Sequence, residues 1–470
     1  MPTCTRFNFA QSNVKGDLRA KGDLRMIRVR DCWCGAVCVL LIGVLLSGGA
    51  LSGDDWPQWL GPQRDSVWRE TGILDTFPSD GPRVLWRQKI GGGFAGPAVA
   101  DGRVFVMDYV TEKQPIPSAS RRDKLEGKER VLCLSAADGQ VLWEHAYPRP
   151  YNISYATGPR ATPTVDDDRV YTLGAEGDLL CLDVAKGTVI WACNLPETFG
   201  YETPTWGCAC HPLIDGDKLI CIAGGDASIA VALDKRSGKV LWKALSATEP
   251  GYCSPMILQA AGVRQLIIWH SESINSLNPE TGQVYWSQPL QPDWSMAIAT
   301  PRSDGKYLFA GAIIMKSALF ELAQDKPDAT LVWQGKKGVG LAPTTSTPFL
   351  EDGHLYGVDR EGELRCVELA TGKQVWTTYA ATTSGAATDN ATAFLVKQAD
   401  RFFLFNEQGQ LIIARLTPAG YEELSRAQII EPVGTSQRRS IVWSHPAFAN
   451  RCIYARNDRE IVCVSLAKEP

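Results

Sequence analysis

Short apolar runs alternate with polar turns through most of the chain, and one phrase of this pattern recurs. The phrase is an apolar run, a polar turn with glycine, and a tryptophan four residues after that glycine. Short strands that recur every 40–50 residues or so are typical of a β-propeller with one repeat per blade. The five regular copies are VLCLSAADGQVLW (131–143), LLCLDVAKGTVIW (179–191), IAVALDKRSGKVLW (229–242), INSLNPETGQVYW (274–286) and LRCVELATGKQVW (364–376).

Two looser copies extend the series. The run LFELAQDKPDATLVW (319–333) keeps Trp333 but lacks the glycine, and LIIARLTPAGYEEL (411–424) keeps Gly420 but has Leu424 in the tryptophan position. The tryptophans from Trp143 to Trp376 are separated by 48, 51, 44, 47 and 43 residues. This spacing agrees with one blade per repeat.

A second phrase runs in register with the first. A small residue, often followed by proline, leads into a turn and then an apolar strand, and Asp-Gly pairs supply the positive φ that hairpin turns require. Together the two phrases predict four-stranded antiparallel blades. The eight copies begin at Gly96, Thr162, His211, Ser254, Thr300, Thr347, Thr392 and His445.

The two ends of the repeat array complement each other. The last copy ends at Pro470 without a Gly-x-x-x-Trp strand, whereas RVLWRQKI (83–90) is such a strand with no inner strands before it. We therefore predict an all-β, eight-bladed β-propeller over residues 83–470, with the strand of Trp86 completing the eighth blade. A closed ring leaves no open sheet edge.

The repeated tryptophans are predicted to be structural. An indole that lies flat between two blades buries about 150–250 Å², worth at most about 4–6 kcal/mol at ~25 cal/mol/Å². The predicted docking residues are Trp86, Trp143, Trp191, Trp242, Trp286, Trp333 and Trp376.

This phrase resembles the tryptophan-docking repeat of pyrroloquinoline-quinone (PQQ) dehydrogenases. It also resembles their non-enzymatic relatives, including outer-membrane assembly lipoproteins of the BamB type. The segment DWPQWLGPQRDSVW (55–68) is similar to the start of secreted bacterial propellers of this kind. The resemblance implies the propeller fold, and it leaves both a binding role and a PQQ-dependent activity with bound calcium open.

The region before the repeats indicates export. The apolar run 34–46 is too short to span a bilayer, follows Arg28 and Arg30, and precedes small residues, as in a secretory signal peptide. We predict a leader or over-extended start at 1–25, a signal peptide at 26–52, an extension at 53–82, and a soluble periplasmic or secreted protein. Without residues 1–50, the chain has 41 basic and 49 acidic residues. That net charge of −8 argues against nucleic acid and against an anionic membrane surface as partners.

The loops that lead into the innermost strands of a propeller line one mouth of its channel. In this chain they predict a funnel with an aromatic wall and one guanidinium, suited to a small planar or carboxylated ligand. Alternatively, these side chains only plug the channel. The candidate ligand-binding residues are Arg160, His211, Tyr252, Asn390, Trp443 and His445.

The cysteines leave several possibilities open. Cys133, Cys181, Cys366 and Cys463 share one repeat position and are predicted to be buried free thiols. Cys210 and Cys253 occupy equivalent positions in neighbouring blades, so a disulfide is possible. The cluster of Cys208, Cys210 and His211 has metal-ligand character but no evident fourth ligand, and no metal site is predicted.

Taken together, the sequence favours a non-catalytic platform that binds a protein or glycan in the cell envelope, with no catalytic residue, no firm cofactor and no membrane span. The alternative is a PQQ-dependent alcohol or sugar dehydrogenase. The resemblance implies that such enzymes carry adjacent cysteines under the cofactor, and this chain has no Cys-Cys pair. Their calcium ligands and catalytic aspartate do not map onto this sequence. The sequence does not indicate the oligomeric state.

Overall fold

Eight sheets, each of four antiparallel strands, are arranged as the blades of a propeller. The computed structural model describes residues 54–113 and 122–468, all in one compact unit, so the predicted leader and signal peptide lie outside the described residues. The prediction of an all-β, eight-bladed propeller is confirmed. In the described part of the chain no helix is both long and apolar enough to cross a membrane.

The blades follow one another along the chain, and in each the strands run in order from the innermost to the outermost. Blade 1 contains Ala98–Ala100, Arg103–Val110, Lys128–Ser135 and Val141–Pro148. Blade 2 contains Thr164–Asp166, Arg169–Leu173, Asp178–Asp183 and Val189–Asn194. Blade 3 contains Leu213–Asp215, Lys218–Ile222, Ala230–Asp234 and Val240–Ala244. Blade 4 contains Met256–Ala260, Val263–Trp269, Ser273–Leu277 and Val284–Pro289.

The second half of the ring repeats the same order. Blade 5 contains Arg302–Ser303, Tyr307–Ala312, Lys316–Leu322 and Ala329–Gln334. Blade 6 contains Phe349–Glu351, His354–Val358, Leu364–Glu368 and Gln374–Thr378. Blade 7 contains Ala393–Gln398, Arg401–Asn406, Gln410–Thr417 and Gly420–Gln428. Blade 8 contains Ala447–Ala449, Cys452–Arg456, Glu460–Ser465 and, from the N-terminal side, Val84–Lys89.

The closing strand, Val84–Lys89, lies where the sequence places it. It pairs antiparallel with the strand Glu460–Ser465, with Val84 opposite Val464 and Trp86 opposite Cys463. Because this strand comes from the N-terminal side of the first blade, the ring is closed by joining its two ends. The remaining described elements are small: two two-stranded sheets, a helix and a 3-10 turn. They are Asp123–Leu125 with Tyr151–Ile153, Gly434–Ser436 with Arg439–Ile441, Leu195–Phe199 and Asp293–Ser295.

The repeated tryptophans bridge neighbouring blades in a constant geometry. Trp191, for example, donates its indole N–H to the carbonyl of Lys235 at 3.0 Å, three residues before Gly238 of the next blade. A methyl group added at Gly238 would lie 2.8 Å from the Trp191 ring, so the glycine is needed both for its positive φ and for the space. In five other blades the indole N–H donates to the equivalent carbonyl, three residues before the glycine of the next blade, at 2.7–3.2 Å. These tryptophans are Trp86, Trp143, Trp242, Trp333 and Trp376.

Trp286 departs from this geometry. Its indole N–H donates to the side-chain oxygen of Gln265 in its own blade, at 3.0 Å. The repeat that follows it is the copy without glycine, where Lys326, Pro327 and Asp328 replace the usual turn. The sequence change in blade 5 therefore accounts for the altered contact of the tryptophan in blade 4.

The N-terminal extension fills the inside of the ring. Trp56 exchanges two backbone hydrogen bonds with Val99 of blade 1, and the carbonyl of Pro57 accepts from Val165 of blade 2. Farther along, Val67 bridges Lys397 of blade 7. The extension thus runs along the inner edges of the innermost strands, burying Trp56 and Trp68 in the core shared with blades 7, 8 and 1.

Candidate functional site

The loops that lead into the eight innermost strands converge on one cavity of about 640 Å³, which we call the funnel. Every blade contributes at least one residue to its wall. All six ligand-binding candidates line it: Arg160, His211, Tyr252, Asn390, Trp443 and His445. Their role in binding stays a prediction, but the repeat register locates them correctly on a shared opening.

Arg160 is a half-buried cation in the funnel wall. Its Nη2 donates to the carbonyls of Ser154 at 2.8 Å and Tyr155 at 2.7 Å, and its Nη1 donates to the carbonyl of Gly158. The guanidinium carbon also lies 5.3 Å from the ring centroid of Phe94. Burial lowers the pKa of Arg160, but an arginine remains charged at neutral pH. The funnel therefore carries a fixed positive charge.

Aromatic side chains form most of the wall. Trp206 and Tyr252 meet edge to face with ring centroids 5.6 Å apart, and the Trp206 backbone N–H donates to the Tyr252 hydroxyl at 3.4 Å. On the opposite side, Trp443 donates its indole N–H to Glu407 at 2.9 Å, and its ring lies 6.2 Å from that of Tyr155. These partners fix the rings before any ligand arrives, which lowers the entropy cost of binding.

The floor of the funnel is a residue of the extension, Trp59. Its indole stacks on His211 at 4.0 Å between centroids and meets His445 edge-on at 4.1 Å. The Trp59 indole N–H donates to the hydroxyl of Thr300 at 3.2 Å. The extension therefore closes the channel beneath the funnel, so the cavity has one open end.

Both floor histidines are neutral structural groups. Burial lowers the pKa of His445 to about 3 and also lowers that of His211. His211 accepts the backbone N–H of Thr162 at 2.8 Å on its Nδ1, and the Thr162 hydroxyl lies 2.8 Å from Nε2 of His445. The two rings thus hold the floor to blade 2 without carrying charge.

Asn390 stands at the mouth with a left-handed backbone, φ +59°. Its side-chain oxygen accepts from the hydroxyl of Thr344 at 3.2 Å, and its backbone N–H donates to the carbonyl of Arg360 at 2.7 Å. Tyr155, Trp294 and Gln437 of the funnel wall also have positive φ. Non-glycine residues with positive φ cluster at functional sites more often than elsewhere.

The cysteine and histidine cluster does not converge. Cys210 and Cys253 are both free thiols, so the possible disulfide between them is not formed. Cys210 points to the carbonyl of Gly251 and Cys253 to that of Ala299, while Cys208 lies near the Tyr201 hydroxyl. Burial raises the pKa of Cys208 to about 12, which opposes the thiolate a metal needs. Among the described residues, no group of three histidine, cysteine or acidic side chains is placed to hold a metal.

The donor groups of the funnel do not fit the calcium and aspartate base of a PQQ dehydrogenase. Calcium takes oxygen ligands, with carboxylates prominent among them. The described residues that line the funnel include no aspartate and no glutamate, and their charged members are Arg160 and Arg360. The cavity therefore carries basic residues and, among its described lining residues, lacks the acidic groups of that chemistry.

Several funnel residues were not predicted from the sequence: Trp59, Tyr155, Trp206, Trp294 and Arg360. Trp59 belongs to the extension, which has no repeat register. The others lie in loops at positions that vary from blade to blade. Trp294 is the most prominent of them because 63% of its surface is exposed at the mouth.

A model of the family described as outer membrane protein assembly factor BamB matches this chain over residues 127–313 and 270–469. A BamB from Shewanella oneidensis is 25% identical over 201 residues. That alignment spans 40% of this chain and 48% of the relative, so the chain matches about half of that relative's length.

Solved structures share the fold. BamB from Moraxella catarrhalis has a TM-score of 0.53 at 16% identity, covering 82% of this chain and 99% of that one. The quinohemoprotein alcohol dehydrogenase from Comamonas testosteroni has a TM-score of 0.55 at 12% identity, covering 88% and 81%. At these identities the likeness shows the propeller alone and does not separate the two activities. The match to residues 127–469, together with the repeat and the closed ring, shows that this chain belongs to the outer membrane protein assembly factor BamB family.

Proposed function

We propose that this protein is an exported, non-catalytic scaffold that binds a protein partner in the cell envelope through the funnel end of the propeller. The observation that carries the proposal is the convergence of a cation, fixed aromatic rings and strained loops on one blind cavity. Arginine and large aromatic residues supply most of the binding energy at protein interfaces. Family membership supports a role in outer membrane assembly, which is what the names of the relatives state.

Two features favour binding over catalysis. The wall of the funnel has no carboxylate among its described residues to act as a base or to hold calcium. The aromatic side chains are held by hydrogen bonds and ring contacts, so the surface is rigid, as a platform requires. A PQQ-dependent dehydrogenase has no comparable support from the residues present.

Photo-crosslinking tests this proposal. A benzoylphenylalanine at the exposed position Trp294 should form an adduct with a protein of the envelope fraction when cells are irradiated. The matched control is the same residue at Asp352, in the turn at the far end of the innermost strand of blade 6, on the opposite face. Adducts from position 352 but not from 294 would move the binding face. A protein-free adduct at 294 that is lost on glycosidase treatment would indicate a glycan instead.

A further inference from the structure

Two cavities of opposite charge lie side by side on the funnel face. The second cavity, which we call the acidic groove, has a volume of about 690 Å³. Among the described residues that line it, the carboxylates are Glu202, Asp226, Glu249 and Glu272, and the single basic residue is Arg122. The funnel, by contrast, has two arginines and no carboxylate among its described lining residues.

The two cavities are adjacent. Thr205 lines both, and two chain segments, 202–206 and 249–252, begin in the groove and end in the funnel. A short hydrogen-bond chain connects the groove to Arg160. The Ser154 backbone N–H donates to the carbonyl of Thr205 at 2.7 Å, and Arg160 donates to the carbonyl of Ser154 at 2.8 Å. A ligand in the funnel that touches Arg160 therefore lies close to the groove.

Arg160 has donors to spare. An arginine has five N–H groups, and three of those in Arg160 bond to the carbonyls of Ser154, Tyr155 and Gly158. The Nε–H and one Nη1–H have no acceptor among the described residues, and Arg160 forms no ion pair within that part of the chain. These two N–H groups can donate to an anionic group of a ligand.

The carboxylates of the acidic groove also lack a neutralising partner among the described residues. None of its four carboxylates forms an ion pair with a described residue. The Glu272 carboxylate accepts from Thr248, and that of Asp226 accepts from Ser246, whereas Glu202 and Glu249 have no such partner among the described residues. Arg122 donates to the carbonyls of Asn152 and Thr203 rather than to the acids. A cationic segment complements this surface.

We propose that the funnel and the acidic groove together receive the C-terminal end of a partner protein, a segment whose last residue is apolar and whose preceding residues are basic. The floor formed by Trp59 prevents a chain from threading through the ring, so a polypeptide enters by its end. The C-terminal residue joins an apolar side chain to a carboxylate, which matches the aromatic wall and Arg160. The basic residues before it lie in the groove. This inference rests on the proposed function and specifies its partner.

Peptide binding tests the anion site. The probe is the fluorescein-labelled peptide Lys-Lys-Lys-Gly-Ser-Gly-Phe with a free C-terminus, and its matched form carries a C-terminal amide. Fluorescence anisotropy on the exported chain should show at least tenfold weaker binding of the amide. In Arg160→Gln this difference should shrink to less than twofold, and in Arg160→Lys part of it should remain. Arg415→Gln, which removes an exposed arginine that is paired with Glu422 outside the funnel, is the control and should keep the full difference.

The groove is tested in the same way. Replacing the three lysines of the probe by glutamine should weaken binding by wild type but not by the double variant Glu202→Gln, Glu249→Gln. The exposed pair Glu321→Gln, Glu422→Gln is the charge-matched control and should behave as wild type.

The proposal is overturned by any of three results. The first is that the probe does not bind. The second is that the C-terminal amide weakens binding equally in Arg160→Gln and in wild type. The third is that an amidated peptide with an internal aspartate binds as tightly as the probe with the free C-terminus. Thermal melting of each variant shows whether the loop held by Arg160 has kept its fold. If the crosslink at position 294 persists while every peptide fails, the scaffold function stands and only the C-terminal specificity falls.

Discussion

At the residue scale, the glycine of each repeat is as important as the tryptophan that packs on it. Gly238 has φ +70° and lies under the Trp191 ring, whereas Gly353 has the same φ with no atom near its missing side chain. Substituting each glycine by alanine separates the cost of the positive φ from the cost of steric contact with the tryptophan. Both variants lose the stability that a positive φ costs an L residue. Gly238→Ala should lose a further ~1–3 kcal/mol because it overpacks the blade interface. Urea unfolding of the pair measures the difference, and equal midpoints would remove steric contact as the reason for glycine.

The tryptophan itself gives a second prediction at this scale. Trp242 is buried and donates to the carbonyl of Pro279 in blade 4 at 3.2 Å. Trp242→Ala should lower the free energy of unfolding by about 3–5 kcal/mol, as is typical of a truncated buried tryptophan. Trp294→Ala, whose ring is exposed, is the control and should shift the urea midpoint little. An unchanged midpoint in Trp242→Ala would contradict a role for the indole in joining the blades.

The floor histidines predict an acid-dependent loss of stability. Burial lowers the pKa of His445 to about 3, whereas an unfolded histidine titrates near 6.5. Between these values the unfolded chain binds more protons than the folded one, so the free energy of unfolding falls as the pH drops below 6.5. The slope is about 1.4 kcal/mol per pH unit for each such histidine.

The matching measurement is a series of urea titrations between pH 6 and pH 4. His445→Gln should flatten the dependence on pH by about one proton, and the double variant with His211→Gln should flatten it further, since burial lowers the pKa of that ring too. Among the described residues, the groups around His445 are Trp59, Thr162, His211 and Phe394, and none of them is a carboxylate that would offset the effect. A slope identical to wild type would mean that the histidines become protonated in the folded chain.

At the element scale, each outer strand carries the same irregularity. In every blade a β-bulge shifts the register between the outer strand and its neighbour. The extra residue of the bulge directly precedes the tryptophan in all blades except blade 7, where it is Leu424. A bulge bends an edge strand and discourages pairing with another chain. The rim of the ring is thereby protected in all eight blades.

The closing strand predicts what opens the ring. A chain that lacks residues 54–90 loses Val84–Lys89 and exposes the edge of Glu460–Ser465. It should aggregate or pair with another chain, as measured by light scattering and gel filtration. The control lacks only residues 54–82 and keeps the strand. Adding the peptide RVLWRQKI should suppress association of the longer truncation, and its Trp86→Ala form should do so less well. A monomer with unchanged melting would mean that the ring closes in another way.

The elements were predictable where the sequence repeats and not elsewhere. The strand of Trp86 was assigned to blade 8 because it is an outer strand with no inner strands before it, and the last blade has inner strands but no outer strand. Pairing the two completes the blade. The path of the extension was not predicted, because Trp56, Trp59 and Trp68 have no periodicity and their partners lie in other blades. Trp286 shows the same limit: its repeat is regular, but its hydrogen bond depends on a turn in the following blade.

At the scale of the whole molecule, the register of the ring determines which side chains meet. Residues from blades 2, 3, 4, 7 and 8 were predicted to share one opening because equivalent loops of a closed ring point to the same mouth. The acidic groove was not predicted, since Glu202, Asp226, Glu249 and Glu272 come from loops of different lengths. The funnel could thus be predicted from the shared register of the repeats. The second cavity could not, because it is formed by loops whose lengths differ from blade to blade.

The last prediction concerns binding by the whole molecule. Replacing Arg160, Tyr252 and Trp443 by alanine removes the cation and two fixed rings of the funnel, and all three residues lie in loops outside the strands of the blades. The ring should remain closed, with gel filtration and far-UV circular dichroism as in wild type. Affinity for the crosslinked partner should fall at least tenfold, or ~1.4 kcal/mol. The conservative triple variant Arg160→Lys, Tyr252→Phe, Trp443→Phe keeps a cation and two rings and should retain more of the affinity. Unchanged affinity in the alanine variant would place the binding surface on the opposite face or on the outer rim, where the bulged strands lie.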